Sequence, residues 1–477
     1  MGSRKVTSSE HLDWQGKHVT VAGLGVSGIP AAKVLHARGA HVTVVNDGDD
    51  ARAREQAAEL EALGVTVRLG DGATLPEGTE LVVTAPGWKP DKPLFTAARA
   101  AGLEIWGDVE LAWRLRGPDA APWLAITGTN GKTTTTQMLA SILKAAGLRT
   151  AAVGNIGISV LDAVLGEEQY DVLAVELSSY QLHWAPSLRA HSAAVLNLAP
   201  DHLDWHGSME AYAADKGRVY EGNRVACVYN VADKATEDLV READVEEGCR
   251  AIGFTLGTPG PSQLGVVEGI LVDRAFVEDR HKNAQELAEV SDVNPPAPHN
   301  IANALAAAAL ARAFGVPARA VRDGLRDFTP DAHRIAHVAD VDSVAYVDDS
   351  KATNTHAAQA SLAAYESIVW IAGGLAKGAT FDELVAKSAK RLRGVVLIGQ
   401  DRALIREALA RHAPEVPVVD LDRTDTGAML AAVQEASRLA VAGDTVLLAP
   451  ACASMDMFAN YNKRGDAFAE AVRELGS

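Results

Sequence analysis

Cysteine is scarce in this chain: 477 residues contain three, Cys227, Cys249 and Cys452. They stand far apart in sequence without the spacing of a metal-ligand set, so they read as free thiols in a reducing compartment. Positive charge is also in deficit. Against 62 acidic residues there are 45 lysines and arginines, a formal net charge of −17. That balance excludes a general electrostatic grip on nucleic acid or an anionic membrane, although a local basic pocket can still hold phosphate. Long apolar runs are missing too. The strongest, from Ile301 to Phe314, is Ala-rich and interrupted by Asn303 and Arg312, which predicts a buried helix rather than a membrane span. The first fifteen residues are polar and lack the apolar core of a signal peptide. A cytoplasmic location is therefore expected. No internal repeat and no low-complexity tail is present.

What remains is an ordinary globular composition, 48% hydrophobic and 22% charged, long enough for two to four domains. Short apolar strands alternate with helical stretches three times over. HVTVAGLG, then a helix over Ile29–Arg38, then HVTVVN give a first βαβ rhythm. GPDAAP, Gly117–Pro122, reads as a linker. WLAIT, Trp123–Thr127, opens a second series that continues through DVLAVEL and HSAAVLNL, while 257–293 looks irregular. NPPAP breaks the chain before the Ala-rich helix. SVAYVDDS, SIVWIAGG, GVVLIGQ and TVLLAPA form a third series. The expectation is an α/β protein of three domains: a Rossmann-like unit over 1–116, a central P-loop ATPase-like unit over 117–330 and a Rossmann-like unit over 331–477.

The strongest chemical signal is TGTNGKTTTT, Thr127–Thr136. Gly128 and Gly131 let backbone N–H groups turn inward around an anion, and the following helix adds its positive N-terminus. Lys132 would reach the β- and γ-phosphates of a nucleotide, and the Thr133 hydroxyl would ligate Mg2+. Thr129, Asn130 and Thr134 complete the loop. The position of the first glycine of a standard Walker A motif is Ile126, so this is a shortened GxxGKT loop. A second glycine pattern, GLGVSG at Gly23–Gly28, follows a strand and precedes a helix, with Asp47 about twenty residues on. Taken alone it predicts dinucleotide binding, and an NAD-dependent oxidoreductase would explain that segment and nothing beyond it.

The shortened loop resembles that of the Mur ligases, which form amide bonds on UDP-N-acetylmuramoyl precursors and to which folylpolyglutamate synthetase is related. Further blocks resemble the family's in order: ELSSYQL, PDHLDWH, YAADKGRVY, HNIANALAA, DAHR, DDSKATN, GGLAKG and LAPACASMDMF. The resemblance runs from about residue 16 to the end. It implies that Glu176 shares Mg2+ with Thr133, that His202 binds a second Mg2+, and that Lys216 is carbamylated by CO2 to become a ligand of that metal. It implies ATP contacts from Asn300 and Asn303 and, across a domain gap that closes, from Arg334 and Asp349. It places Asn155 among the residues binding the UDP substrate, at its uracil-distal end, and His183 near the reacting centre, where His183 or a nearby carboxylate is a candidate base.

In the family the first glycine loop receives the UDP of the substrate. Leu24, Val26, Ser27 and Gly28 would line the diphosphate. Asn46 stands where relatives often carry an Asp near the uracil, with Asp47 beside it, and Pro86 and Gly87 of APGW border the same pocket. The third domain resembles that of members adding D-glutamate, and a DNPR-like motif of diamino-acid-adding members is absent from the sequence. Lys351, Thr353, Lys377, Ser454, Met455 and Tyr461 would then hold D-glutamate, whose two carboxylates call for cations and hydroxyls. The resemblance implies an ATP-dependent ligase acting on UDP-N-acetylmuramoyl-L-alanine through an acyl phosphate. Its partners would be small molecules, with no nucleic acid and no membrane insertion, and a monomer is expected. The alternatives are the same chemistry on another acceptor and a nucleotide-sensing protein with a dead site. Intact Lys132, Glu176, His202 and Lys216 argue against the second.

Overall fold

A computed structural model describes residues 13–425 and 427–475. Most of the polar N-terminal stretch, and the first twelve residues of the expected first domain, lie outside the described residues. Three sheets organise the chain, each with a glycine-rich turn at a strand end that bears on function.

The first sheet contains β1 (His18–Ala22), β2 (His41–Asn46), β3 (Thr66–Leu69), β4 (Leu81–Thr84) and β5 (Glu104–Gly107), in the order β3-β2-β1-β4-β5 with every pairing parallel. Val19, Val21, Val42, Val44, Leu81 and Val83 are buried on one face and Ala22, Val45 and Val82 on the other, as expected for a sheet covered on both faces. The order reverses between β1 and β4, which opens a crevice at the carboxyl end of β1, where the GLGVSG turn leaves the sheet. At Gly28 the turn and the helix Gly28–Ala37 press together so closely that a Cβ would lie 1.9 Å from the Gly23 carbonyl oxygen.

The second sheet has nine strands: β6 (Trp123–Thr127), β7 (Ala152–Gly154), β8 (Leu173–Glu176), β9 (Ser192–Val195), β10 (Ala226–Asn230), β11 (Arg250–Phe254), β12 (Gln263–Val267), β13 (Ile270–Asp273) and β14 (Gln285–Glu289). Their order is β14-β13-β12-β11-β10-β9-β6-β8-β7. The pairings are parallel as far as β12; β13 and β14 then close the edge as antiparallel strands. This corrects the irregular reading of 257–293. The segment is a short meander whose alternation is blurred by the register shift between Leu271 and Val272 and by charged residues on its exposed positions. The central strand β6 is buried throughout and runs straight into the nucleotide loop. The Ala-rich helix spans Pro298–Ala313.

These two sheets fall in one compact unit, Met1–Val293 with Ala302–Phe328. Within it the amide of Gly107 donates to the carbonyl of Trp184 at 2.8 Å, and buried Glu110 accepts from the Ser187 amide and hydroxyl. The expected boundary near 116 falls between the helix Asp108–Leu115 and β6.

The second unit comprises Asn294–Ile301 and Thr329–Ser477. Its sheet contains β15 (Ala336–Val341), β16 (Val344–Asp348), β17 (Ile368–Gly373), β18 (Leu392–Ile398), β19 (Val418–Asp420) and β20 (Thr445–Leu448), in the order β15-β16-β20-β17-β18-β19. All pairings are parallel except the β15–β16 hairpin. Apolar clusters bury both faces. No helix among the described residues is long and apolar enough to cross a membrane.

Candidate active site

The nucleotide loop rises from β6 through Gly128 and Gly131, whose φ angles of 150° and 82° a side chain would strain. A Cβ at Gly131 would also lie 2.4 Å from the Asn303 Oδ1, so the Asn303 side chain covers the loop. The helix Lys132–Ala145 begins at Lys132 and buries Thr133 and Thr134 in its first turn. The Lys132 ammonium is folded back on its own loop, donating to the carbonyls of Gly128 at 2.9 Å and Thr129 at 3.0 Å. Asn130 and Asn197 lock the loop tip reciprocally, and Thr129 shares a 3.0 Å hydrogen bond with the Tyr212 hydroxyl.

Lys216 meets this loop from the helix Met209–Gly217. It is 2% exposed, and its Nζ donates to the Gly128 carbonyl at 2.9 Å and the Thr127 hydroxyl at 3.3 Å. Burial, reinforced by the charge of Lys132, holds the amine well below the usual lysine range. A buried amine that is readily neutral is what reaction with CO2 requires.

Glu176 ends β8 beside β6 and is 1% exposed. Its Oε1 accepts from the Asn155 amide at 2.8 Å, while Oε2 is buried with no hydrogen-bond partner. A buried carboxylate oxygen left without a donor is costly and suits a cation. His202 sits in the left-handed region with φ 54°, a strained conformation for a non-glycine residue. Partial burial, with Lys132 and Lys216 nearby, holds its imidazole below the ordinary value, in the neutral form a metal needs. Among the described residues no three His, Cys, Asp or Glu side chains group to hold a metal by themselves. The oxygen and neutral imidazole donors of Glu176, Thr133 and His202 are of the kind a hard cation such as Mg2+ takes.

His183 ends the helix Ser179–His183, which is fixed by a capping box between Ser178 and Gln181. Its Nδ1 lies 2.9–3.0 Å from both Asp215 oxygens. Asp215 also meets His206 Nδ1 at 2.9 Å and Arg218 at 3.2 Å, and His206 Nε2 reaches the Ser179 hydroxyl at 2.9 Å. Burial would raise the Asp215 carboxyl, but hydrogen bonds to His183 and His206 and the charge of Arg218 outweigh it and hold it at about 2. Sequence reasoning missed Asp215 and His206. Their only signal was position within the quoted blocks: Asp215 beside Lys216 and His206 at the end of PDHLDWH.

At the first glycine loop, Asn46 accepts from the Leu24 amide and donates to the Gly48 carbonyl, so it shapes the loop itself. Asp47 pairs with Lys92 at 2.5 Å, and the Lys92 ammonium lies over the Trp88 ring, 4.6 Å from its centroid. Ser27 donates to half-buried Asp108 at 2.9 Å, and Val26 is exposed. Pro86 and Gly87 form the turn after β4, and the Trp205 indole donates to the Gly87 carbonyl at 3.1 Å.

In the second unit the expected amino-acid residues lie on three loops that the fold brings together. Leu375 and Ala453 form an antiparallel bridge joining GGLAKG to PACAS, and the Ala451 amide donates to Ala352. Lys351 stands over the Tyr461 ring at 4.0 Å. Thr353 precedes the Asn354 cap of the helix Thr355–Ala363. Ser454 is buried, Met455 is exposed, and Lys377 is exposed with φ 50°. Asn300 donates to the Pro295 carbonyl at 3.2 Å. Asp349 is buried against the Ser361 hydroxyl, and burial pushes its carboxyl up to about 6 despite the charge of Arg334. Two residues escaped sequence reasoning here. His333 bonds Asp348 at 2.6 Å. Fully buried Arg464 donates to the Ser350 hydroxyl and carbonyl and to the Cys452 carbonyl at 2.8–3.0 Å, tying two of the loops.

Comparison with known proteins agrees with this layout. Residues 17–107 match the model of the Mur ligase MurD-like N-terminal domain, 126–311 the Mur ligase middle domain and 333–452 the Mur ligase glutamate ligase domain. The chain is 89% identical to a UDP-N-acetylmuramoylalanine--D-glutamate ligase of Streptomyces avermitilis, over 98% of this chain and 100% of the relative. It is 88% identical to the enzyme of that name from Streptomyces coelicolor, over 98% and 99%. The crystal structure of a MurF ligase from Thermotoga maritima in complex with ADP shares the fold, with TM-score 0.55 and 16% identity over 96% of each chain. With three consecutive domain matches and near-identity to curated members along almost its whole length, the chain belongs to the Mur ligase family.

Proposed function

We propose that this chain joins D-glutamate to UDP-N-acetylmuramoyl-L-alanine, with ATP converted to ADP and phosphate, in the synthesis of peptidoglycan precursors. The reading assigns the UDP end of the substrate to 1–116, ATP to 117–330 and D-glutamate to 331–477. One observation carries it: the buried nucleotide loop holds Lys132 and a second, desolvated lysine, Lys216, on a single carbonyl, beside a carboxylate with an unpartnered oxygen. The near-identical relatives named for D-glutamate support the choice of acceptor.

The substrate carboxylate attacks the γ-phosphorus of ATP and ADP leaves, giving an acyl phosphate. Lys132, released from its loop carbonyls, neutralises charge on the transferring oxygens. Thr133, Glu176, His202 and carbamylated Lys216 would hold Mg2+, which supplies charge neutralisation at the phosphates. The amine of D-glutamate then attacks the acyl carbon, and the tetrahedral intermediate expels phosphate. His183, oriented through Nδ1 by Asp215, presents Nε2 as acceptor for the proton the amine loses. Lys351, Lys377, Thr353 and Ser454 would take the carboxylates of D-glutamate, with Tyr461 and Met455 beside them.

The test is phosphate release with UDP-N-acetylmuramoyl-L-alanine, ATP and Mg2+, comparing D-glutamate with L-glutamate, L-lysine, meso-diaminopimelate and L-alanine. Turnover with D-glutamate alone is expected. Turnover with another amino acid would keep the ligase chemistry and overturn the assignment of the acceptor.

A further inference from the structure

Cys227 and Cys249, separated in sequence and expected to be free thiols, are neighbours in space: their sulfurs are 3.9 Å apart. The parallel pairing of β10 with β11 explains this. Cys227 lies opposite Ala251, and the Arg250 amide donates to the Val225 carbonyl, so Cys249 enters the sheet diagonally beside Cys227. The two differ in access. Cys227 is buried and Cys249 is half-buried. Cys452 is buried in the other unit.

We propose that Cys249 and Cys227 are a peroxide-oxidisable dithiol, in which Cys249 is the attacked and modified residue and Cys227 resolves it into an intrachain disulfide. A disulfide needs the sulfurs about 2 Å apart, so each moves by roughly 1 Å, within reach of a small χ1 rotation. The chemistry assigns the order. The hydrogen bond between the sulfurs holds Cys249 below an ordinary thiol, while that bond and burial push Cys227 above it, and the thiolate is the nucleophile.

The Cys249 sulfur attacks one peroxide oxygen. An S–O bond forms, the O–O bond breaks, and the departing hydroxide takes up the thiol proton as water. The Cys227 sulfur then attacks the sulfenic sulfur. An S–S bond forms, the S–O bond breaks, and hydroxide leaves with the Cys227 proton as a second water. Two thiols are oxidised and one hydrogen peroxide is reduced.

The disulfide would close a loop carrying the helix Lys234–Glu242. Its Leu239 packs on Gly217, next to Lys216. The cross-link therefore pins the crossover that supports the metal-side lysine, and the oxidised protein should melt at a higher temperature than the reduced one.

The experiment treats the full chain with excess hydrogen peroxide, titrates thiols in denaturant and maps tryptic peptides without reductant. Titratable thiols should fall from three to one, with Cys452 retained and a link between peptides Val225–Lys234 and Glu242–Arg250. Cys227→Ser should leave Cys249 as a sulfenic acid that dimedone traps, and Cys249→Ser should keep both its remaining thiols. Retention of all three thiols, linkage between chains, or over-oxidation of Cys249 beside a reduced Cys227 overturns the proposal. The wild-type peptide map decides the matter even if a variant fails to fold.

Discussion

Lys132 and Lys216 donate to the same carbonyl oxygen, that of Gly128, each at 2.9 Å. Two ammonium groups on one acceptor repel each other, and the more buried of the two is the one that gives up its charge. The geometry therefore distinguishes the two amines, Lys216 being the one more readily neutral, which fits the roles proposed above: Lys132 for the nucleotide, Lys216 for carbamylation.

Replacing Lys132 with alanine should lower ATP-dependent phosphate release by about 1000-fold or more, the scale of losing a transition-state cation at a phosphoryl group. Binding of the UDP substrate, followed by calorimetry, should be little changed, because all its expected residues except Asn155 lie at the first sheet.

Carbamylation of Lys216 should be visible directly. In 13CO2-equilibrated buffer the wild type should give a carbamate carbon signal by NMR that Lys216→Ala lacks. Stripping CO2 should depress turnover, and bicarbonate should restore it in the wild type alone.

Glu176→Gln should keep the amide contact with Asn155 but remove the anionic oxygen. The Mg2+ concentration for half-maximal turnover should rise by about tenfold or more. An unchanged Mg2+ requirement would remove Glu176 from the metal shell.

The Asp215 carboxyl titrates at about 2 in the folded chain, below its ordinary 3.8. A depressed carboxylate stabilises the fold fully above pH 3.8, and the contribution disappears as pH falls through about 2. The shift corresponds to about 2 kcal/mol. Asp215→Asn should lose stability at neutral pH and show a flatter pH dependence in that window. Turnover should fall by about 100-fold as His183 loses its orientation, measured beside chemical denaturation at several pH values.

Ser454→Ala and Lys377→Ala should each raise KM for D-glutamate by about tenfold or more, the cost of one lost charge-assisted hydrogen bond. KM for ATP should stay within about twofold.

Much of this was legible in the sequence because the chemistry is written in contiguous blocks. WLAIT became β6 with the same ends, and TGTNGKT became a loop on a helix N-terminus, since strand, glycines and helix start all depend on local residue types. The Asp215–His206–Ser179 network was not legible. Its members are common polar residues joined across three segments, and only packing makes them partners. Arg464 was hidden for the same reason: an arginine in an amphipathic helix reads as solvated until the fold buries it. The edge strands β12–β14 were missed because they are short, and their alternation is interrupted by Gly265, by the register shift at Leu271–Val272 and by the exposed Glu286 and Glu289.

Arg464 has a consequence for the order in which the protein becomes competent. It lies in the helix Tyr461–Leu475, yet it clasps the loops at Ser350 and Cys452. A ribosome delivers residues in sequence, so the nucleotide loop at Thr127 emerges long before the clasp. A nascent chain can hold its first two sheets while the loops expected to take D-glutamate are still unfastened. Only when the last helix has been released can Arg464 clasp the Ser350 and Cys452 loops, so a stop codon before Tyr461 should leave those loops unjoined while the Thr127–Thr136 loop can already form.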